Sequence, residues 1–592
     1  MTLWVLALGL PLAVALLLMV ATLVSGPRAG ALRDTVCRAA WLATLPAATL
    51  TLTGGDEVVR LDWLLLGVSA HLDEVARPLL ALTVVLYAVA LAFVPRSGAR
   101  RGPVLSGFLL VCFAASVGVV AAADVVTFYL AFTVMSFTGY ALVLHDRTAG
   151  ARRAARIYMV MTVLGESAVL AAMALVTADG GLVLADAPAA VAASERRDLI
   201  VALLLVGFGV KAGTAPLHVW LPLAHSAAPT PASAVLSGVM VKAGLVGWLR
   251  FLPLGQDASP GWGTTFVLLA LLGGFLAVVA GLLQDNPKVI LAYSTISQMG
   301  FLAVLVGVAL AEPGLAHACV LAAVVYAVHH GVTKASLFLG VQVWSSERVP
   351  RWTTTTVLAV AGLSLAGAPF TSGYVAKYGA KEAVGDATFP AAGGAALADV
   401  LPWFGLGSTL LLARCAVVLW RRERKGEHSA PVRDGVWAAS AVVAVVPVAW
   451  LAQRLDPPQA VPGWLSPGTL WAQSWPVLLG VALALAAARL ARRRELDDSP
   501  LAHPRGDVVP PGDVVAVEER AALAVGRALR RAAARLGSVT GRVRTALAAT
   551  PSPLPALSAV QARLGLWEAS GAVLLFLAAA GLLLALTGGS SP

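Results

Sequence analysis

The sequence predicts an all-α polytopic membrane protein with about sixteen transmembrane helices. Three observations carry that expectation. The 592 residues are 58% hydrophobic and only 13% charged, whereas a soluble domain carries about a quarter charged residues. Mean hydropathy is +0.82. Apolar runs of about 20 residues recur from end to end, each long enough to cross a bilayer as a helix. Lipid admits only helices or closed barrels, and runs this long exclude a barrel.

The spans read near 3–25, 36–53, 76–94, 104–122, 124–144, 155–177, 198–223 and 230–253, then 263–283, 287–310, 315–343, 353–383, 397–420, 434–451, 471–491 and 567–587. No Lys or Arg precedes the first run, so it reads as a retained span rather than a signal peptide. Basic residues gather after odd-numbered spans: Arg28, Arg33 and Arg38; Arg96, Arg100 and Arg101; Arg147, Arg152, Arg153 and Arg156; Arg348 and Arg351; Arg421, Arg422, Arg424 and Lys425; Arg492, Arg493 and Arg494. Loops after even spans, such as "GGDEVVRLDW", are acidic or neutral. Basic loops stay cytoplasmic, so both termini are expected outside an inner (plasma) membrane. Membrane topology accounts for the net charge of +11, and nucleic acid is not called for.

The chain divides into N-terminal helices (1–119), a core (120–390), C-terminal helices (391–495), a linker (496–566) and a last helix (567–592). Within the linker, 514–548 sets Val517, Leu529, Leu536, Val543 and Leu547 at near-helical spacing among arginines. This is a basic amphipathic helix, too charged to span. It would lie on the cytoplasmic side, on anionic lipid or as a lateral brace along this subunit or a neighbour.

Cys37, Cys112, Cys319 and Cys415 are far apart and form no CxxC or Cys/His cluster. There is no Walker A loop and no GxGxxG between a strand and a helix. No cofactor, metal or nucleotide site is expected, and no active site of the chain's own.

The chemistry lies in charges placed where lipid should be. A lysine at mid-bilayer depth costs at least about 3 kcal/mol on insertion scales. Glu166 sits at the centre of span six, Lys211 in span seven and Lys242 at the centre of span eight. Tyr326, His330 and Lys334 recur every four residues in span eleven, so they share one helix face. Lys377 follows a break in span twelve. Any one of these could snorkel or be paired structurally. Together, in spans six, seven, eight, eleven and twelve, they read as a water-bridged proton relay, because histidine and desolvated lysine can exchange protons near neutrality.

Two of these helices are interrupted. Span seven holds Pro216 and Pro222; span twelve holds Gly367, Pro369 and Gly373. Proline removes a helix hydrogen bond, and free carbonyls at bilayer depth are tolerated only against protein or water. Two broken helices in corresponding positions, each with a lysine, are the pattern of transporters built from inverted repeats. Spans 4–8 and 9–13 would be two inverted five-helix repeats, with helices 7 and 12 broken.

The stretches "VKAGTAPLHVWLPLAHSAAPTPASAVLSGVMVKAG", "QDNPKVILAYSTISQMG", "HHGVTKASLFL" and "GAPFTSGYVAK" resemble the antiporter-like, proton-translocating subunits of respiratory complex I (the NADH-quinone oxidoreductase subunit L, M and N type). Mrp-type Na+/H+ antiporters and the large membrane subunits of hydrogenase-4 and formate hydrogenlyase are similar too. The resemblance covers about residues 120–390. It implies that Lys211, Lys242, His330, Lys334 and Lys377 stand at proton-carrying positions. Thr133 stands where the family usually has a glutamate, and Tyr326 where it often has a second histidine. Glu166 is the expected substitute acid, approaching Lys211 directly or through one water.

The resemblance implies a proton-translocating subunit coupled to redox chemistry on other subunits. Its partners would be other membrane subunits, a cytoplasmic subunit, the bilayer, and protons or Na+. The alternatives are a subunit of an Mrp-like Na+/H+ antiporter and the gradient-using membrane partner of an inorganic-carbon uptake complex.

Overall fold

The computed structural model describes residues 1–55, 57–61, 67–96, 101–345, 349–389, 394–421, 445–455, 459–493, 509–510 and 527. The expected lateral helix and last span therefore lie outside the described residues, as does most of span fourteen. The chain divides into two compact units, Met1–Val59 with Ser69–Gly512, and Arg60–Val68 with Asp513–Pro592. Every helix below belongs to the first.

Among the described residues the first unit is almost wholly helical, and eleven of its helices are long and apolar enough to cross a membrane. In chain order the helices are α1 (Thr2–Leu23), α2 (Pro27–Ala39), α3 (Leu45–Thr53), α4 (Ala76–Phe93), α5 (Gly102–Ala121), α6 (Val125–Leu144) and α7 (Ala149–Ala178). A surface helix α8 (Ala187–Ala193) leads to α9 (Arg197–Ala212), α10 (Trp220–Ala227), α11 (Thr230–Val235) and α12 (Lys242–Phe251). Then come α13 (Pro260–Leu282), α14 (Pro287–Ala311), α15 (Pro313–Ser345), α16 (Arg351–Ala366), α17 (Ser372–Ala383), α18 (Leu397–Val400), α19 (Trp403–Arg421), α20 (Val445–Arg454) and α21 (Pro467–Arg493).

Local sequence sets many of the boundaries. Asp124, Thr148 and Thr371 cap α6, α7 and α17 by accepting the N–H groups of Thr127, Ala151 and Tyr374. Proline opens α5, α13, α14 and α21 at a position where its missing N–H costs nothing. The second expected span is not one helix. A 3-10 turn at Ala40–Thr44 separates α2 from α3, and Pro46 stands in the first turn of α3.

Burial orders the bundle. The most apolar stretch of α14 is entirely enclosed by protein, and that of α11–α12 is 94% enclosed. By contrast α1 and α21 present rows of exposed leucine and valine, as expected of helices facing lipid. α13 packs along α14, and α15 touches α14, α16 and α17 as well as α4 and α11. At 33 residues, α15 is about 50 Å long. It ties the broken helix of the second half to the π-containing helix of the first.

One ion pair closes the end of the bundle near the start of α4. Asp73 accepts both guanidinium nitrogens of Arg250, 177 residues away, and also the N–H groups of Val75 and Ala76 at the start of α4. Burial pushes the Asp73 carboxyl up, but the Arg250 guanidinium and the Ala76 N–H outweigh it and hold the group below its ordinary 3.8. A depressed carboxyl contributes stability that is complete above 3.8 and is lost as pH falls through the lower folded value. Asp73→Asn should therefore lower stability at neutral pH by about 1.5–3 kcal/mol, read as the thermal midpoint in detergent. The wild type's loss of stability below pH 3.8 should shrink in the variant.

Candidate proton-relay site

Both breaks are made the same way. α9 ends at Gly213 (φ 67°), with Thr214 N–H bonded to Gly209 O and Gly213 N–H to Val210 O. α16 ends at Gly367 (φ 91°), with Ala368 N–H bonded to Leu363 O and Gly367 N–H to Ser364 O. These are Schellman caps, which need the left-handed backbone that glycine adopts without strain. In each, a proline follows within three residues and stops the helix from resuming. The sequences "AGTAP" and "AGAP" are thus one device used twice.

A carbonyl in the last turn before each break also meets a side-chain donor, and the donors differ. Val210 O, in the last turn of α9, accepts the Trp220 indole N–H at 2.8 Å. Ala366 O, in the last turn of α16, accepts the Lys377 amine at 3.0 Å, reaching back from α17. A helix C-terminus carries partial negative charge, so it is a natural seat for a cation. Lys377 is 6% exposed, so this carbonyl stands in for water.

A third irregularity lies in span eight. Between α11 and α12 the chain forms a π-helical turn, Leu236–Met240. Such turns release main-chain carbonyls and recur at functional sites. Here Ser237 O is taken by the Lys242 amine at 2.7 Å. The same amine lies 2.6 Å from His330 Nδ1 on α15. Ser237 Oγ meets Thr295 Oγ1 at 2.8 Å, and Thr295 donates to Leu291 O, which also receives the Lys334 amine at 2.8 Å. Lys242, His330 and Lys334 therefore sit in one hydrogen-bonded cluster, all buried.

Lys211 is set apart from that cluster. Its amine donates to Ser136 Oγ at 2.8 Å and lies 5.4 Å from the centre of the Phe132 ring, both on α6. One turn back on α6, Thr133 donates to Glu166 Oε2 at 2.8 Å. Glu166 and Lys211 form no ion pair within 4.0 Å; each is bonded to its own α6 hydroxyl, Thr133 and Ser136. The other carboxylate oxygen of Glu166 is buried without a partner. A cavity of about 10 Å³, room for about one water, lies toward the Lys242 cluster and is lined by Met135, Ser116, Thr83 and Lys242.

Tyr326 does share a face with His330, their rings stacked at 6.4 Å. Its hydroxyl donates to the side-chain oxygen of Gln298, whose amide donates to Ser408, which donates to Phe404 O. That branch ends in a carbonyl. The spacing argument passed over His329, which faces another way: Nδ1 lies 2.8 Å from Ser372 Oγ at the start of α17. It also passed over His225, buried on α10 against Phe338 at 4.6 Å. Among the described residues no cluster of His, Cys, Asp and Glu could hold a metal ion.

These features belong to a polytopic membrane protein built around buried titratable groups. Residues 122–387 match the model of the NADH:quinone oxidoreductase/Mrp antiporter transmembrane family. The chain is 32% identical over 366 residues to an uncharacterised protein of Mycobacterium tuberculosis, covering 57% of this chain and 56% of that one. It is 32% identical over 250 residues to hydrogenase-4 component B of Escherichia coli, covering 40% of this chain and 37% of that one. The chain spans about half the length, or less, of these curated relatives. The fold also matches the structure of the Mrp complex from Dietzia sp., with TM-score 0.67 at 24% identity, over 98% of this chain and 63% of that one.

The second break tolerates no side chain at Gly373. A Cβ there would run into Ser364 O, a backbone atom that cannot step aside. Gly373→Ala should push α16 and α17 apart and cost about 1–3 kcal/mol or more, lowering the yield of folded protein in detergent. Gly9→Ala, where a Cβ meets nothing within 4 Å, should leave that yield unchanged.

Proposed function

We propose that the chain is a proton-translocating subunit of a multisubunit membrane complex. Protons would cross its interior by way of Glu166, Lys211, Lys242, His330, Lys334 and Lys377. The observation that carries this reading is the pairing of each buried amine with neutral acceptors. Lys242, Lys334 and Lys377 hold main-chain carbonyls, and Lys211 holds a hydroxyl. A carboxylate at contact distance would lock an amine in its charged form, whereas a carbonyl or imidazole lets the proton leave. A structural ion pair would be built the other way.

Lys211 is the switch of this relay, because Glu166 is close enough to bias its charge without contacting it. The Thr133 hydroxyl holds the carboxylate beside α6, where a glutamate on α6 would otherwise reach. Lys377 lies toward the exit, seated on the broken end of α16. The two alike breaks support reading spans 4–8 and 9–13 as inverted repeats, each contributing one interrupted helix. The basic loops support cytoplasmic placement of the turns after odd spans, in a plasma membrane.

Coupling to redox chemistry on partner subunits is the preferred drive, because a relative at 32% identity is a hydrogenase component by name. Lys211→Ala and Lys377→Ala should each abolish proton flux driven by an imposed potential in vesicles holding the purified complex, without loss of its other subunits. Wild-type flux in both assembled variants would remove the relay from consideration. Glu166→Gln should cripple the flux, and adding Thr133→Glu should restore part of it by returning the acid to α6.

A further inference from the structure

The central cluster and Lys377 lie on different helices, and among the described residues no hydrogen bond joins Lys242, His330 or Lys334 to Lys377. A proton leaving His330 needs a way to the second break. The branch through Tyr326 does not provide one, since it runs through the amide of Gln298, which neither gives up nor takes a proton at physiological pH.

We infer that His329, with Ser372 and Ser364, is a second proton-carrying branch that joins the Lys242–His330 pair to the broken helix bearing Lys377. His329 is the neighbour of His330 on α15, turned toward α17, and is itself fully enclosed. Its Nδ1 lies 2.8 Å from Ser372 Oγ, in the first turn of α17. Ser372 Oγ in turn lies 2.8 Å from Ser364 Oγ, in the last turn of α16. The two serines face each other across the break, so this string of atoms spans the gap that the Schellman cap and Pro369 open. The alternative local partner of Nδ1, Thr333 Oγ1 on α15 itself, is at 3.4 Å and weaker.

Nε2 of both His329 and His330 is buried with no partner among the described residues. A buried imidazole nitrogen left bare costs free energy, so the arrangement is not one that stability alone would select. It gives each ring one occupied nitrogen and one open to a mobile proton. In the step this implies, a proton arrives at His329 Nε2 and the proton on Nδ1 passes to Ser372 Oγ. The Ser372 hydroxyl proton moves to Ser364 Oγ, and the Ser364 proton leaves toward the break. One proton enters, one leaves, and no net charge rests on a serine. On the far side the amine of Lys377, seated one helical turn beyond Gly373 and donating to Ala366 O, takes the proton when it is in its neutral form.

The inference rests on the relay reading, and the test separates the two. Asparagine in place of His329 can keep a hydrogen bond to Ser372 but cannot carry a proton. Proton flux under a potassium diffusion potential is followed with an internal pH dye in vesicles containing the purified complex. His329→Asn should assemble at wild-type yield and lose about tenfold or more of the flux. Ser372→Ala should lose a like amount, and Ser372→Thr, which restores the hydroxyl, should recover it. Wild-type flux in assembled His329→Asn, alongside abolished flux in Lys211→Ala, would overturn this branch and leave the relay standing. Unchanged flux in Lys211→Ala would overturn both. If His329→Asn fails to assemble, the Ser372→Ala and Ser372→Thr pair decides: equal flux in the two overturns the branch, and flux only in the threonine variant upholds it.

Discussion

The structure turns on one constraint: an amine in the bilayer interior must find acceptors, and the carbonyls of a regular helix are already bonded. Every main-chain carbonyl of an unbroken helix is already bonded four residues on. For two of its buried lysines the protein answers by interrupting a helix. A π-helical turn releases Ser237 O to Lys242, and a Schellman-capped end releases Ala366 O to Lys377. Lys334 instead shares Leu291 O with Thr295 inside an intact helix, where the carbonyl's second lone pair serves. The irregular backbone and the buried charge are therefore one feature, since each would be costly without the other.

The two breaks differ in what occupies them. At the first, an indole N–H that never ionises fills Val210 O, and Lys211 points instead to α6. At the second, the amine itself fills Ala366 O. The first break thus holds its shape whatever the charge on Lys211. The second is bridged by a side chain that can carry a charge. Identical caps are thus tied by an indole at one break and by a lysine amine at the other.

Much of this was legible in the sequence, and the parts that were not share a cause. Lys211, Lys242, Lys334 and Lys377 stood out because charge in an apolar run is conspicuous. Pro216 and Gly367 marked the breaks because both residues are defined by their backbone. The π-helical turn in "LSGVM" gave no sign, since an extra residue in a helical turn has no compositional signature. His329 was missed because a spacing of four selects the face of Tyr326, His330 and Lys334, and the neighbouring residue lies about 100° around the helix. Its partner, Ser372, belongs to a helix that only the tertiary fold brings near. The Asp73–Arg250 pair likewise joins positions 177 apart with no local trace. Span two read as a single apolar run, but Pro46 and the 3-10 turn before it divide the segment.

The substitution at Thr133 shows why a residue-by-residue reading of a motif falls short. A threonine on α6 removes a carboxylate from the sequence position expected to hold one. It does not remove the carboxylate from the space, because Thr133 Oγ1 donates to Glu166 Oε2 at 2.8 Å. The carboxyl group comes from α7 and is bonded by the α6 hydroxyl. That hydroxyl occupies only one of the two oxygens, and the other stays bare in the interior. Ser136, one turn along the same face of α6, receives Lys211. Acid and amine are thus registered to one helix by two hydroxyls three residues apart, and form no ion pair within 4.0 Å.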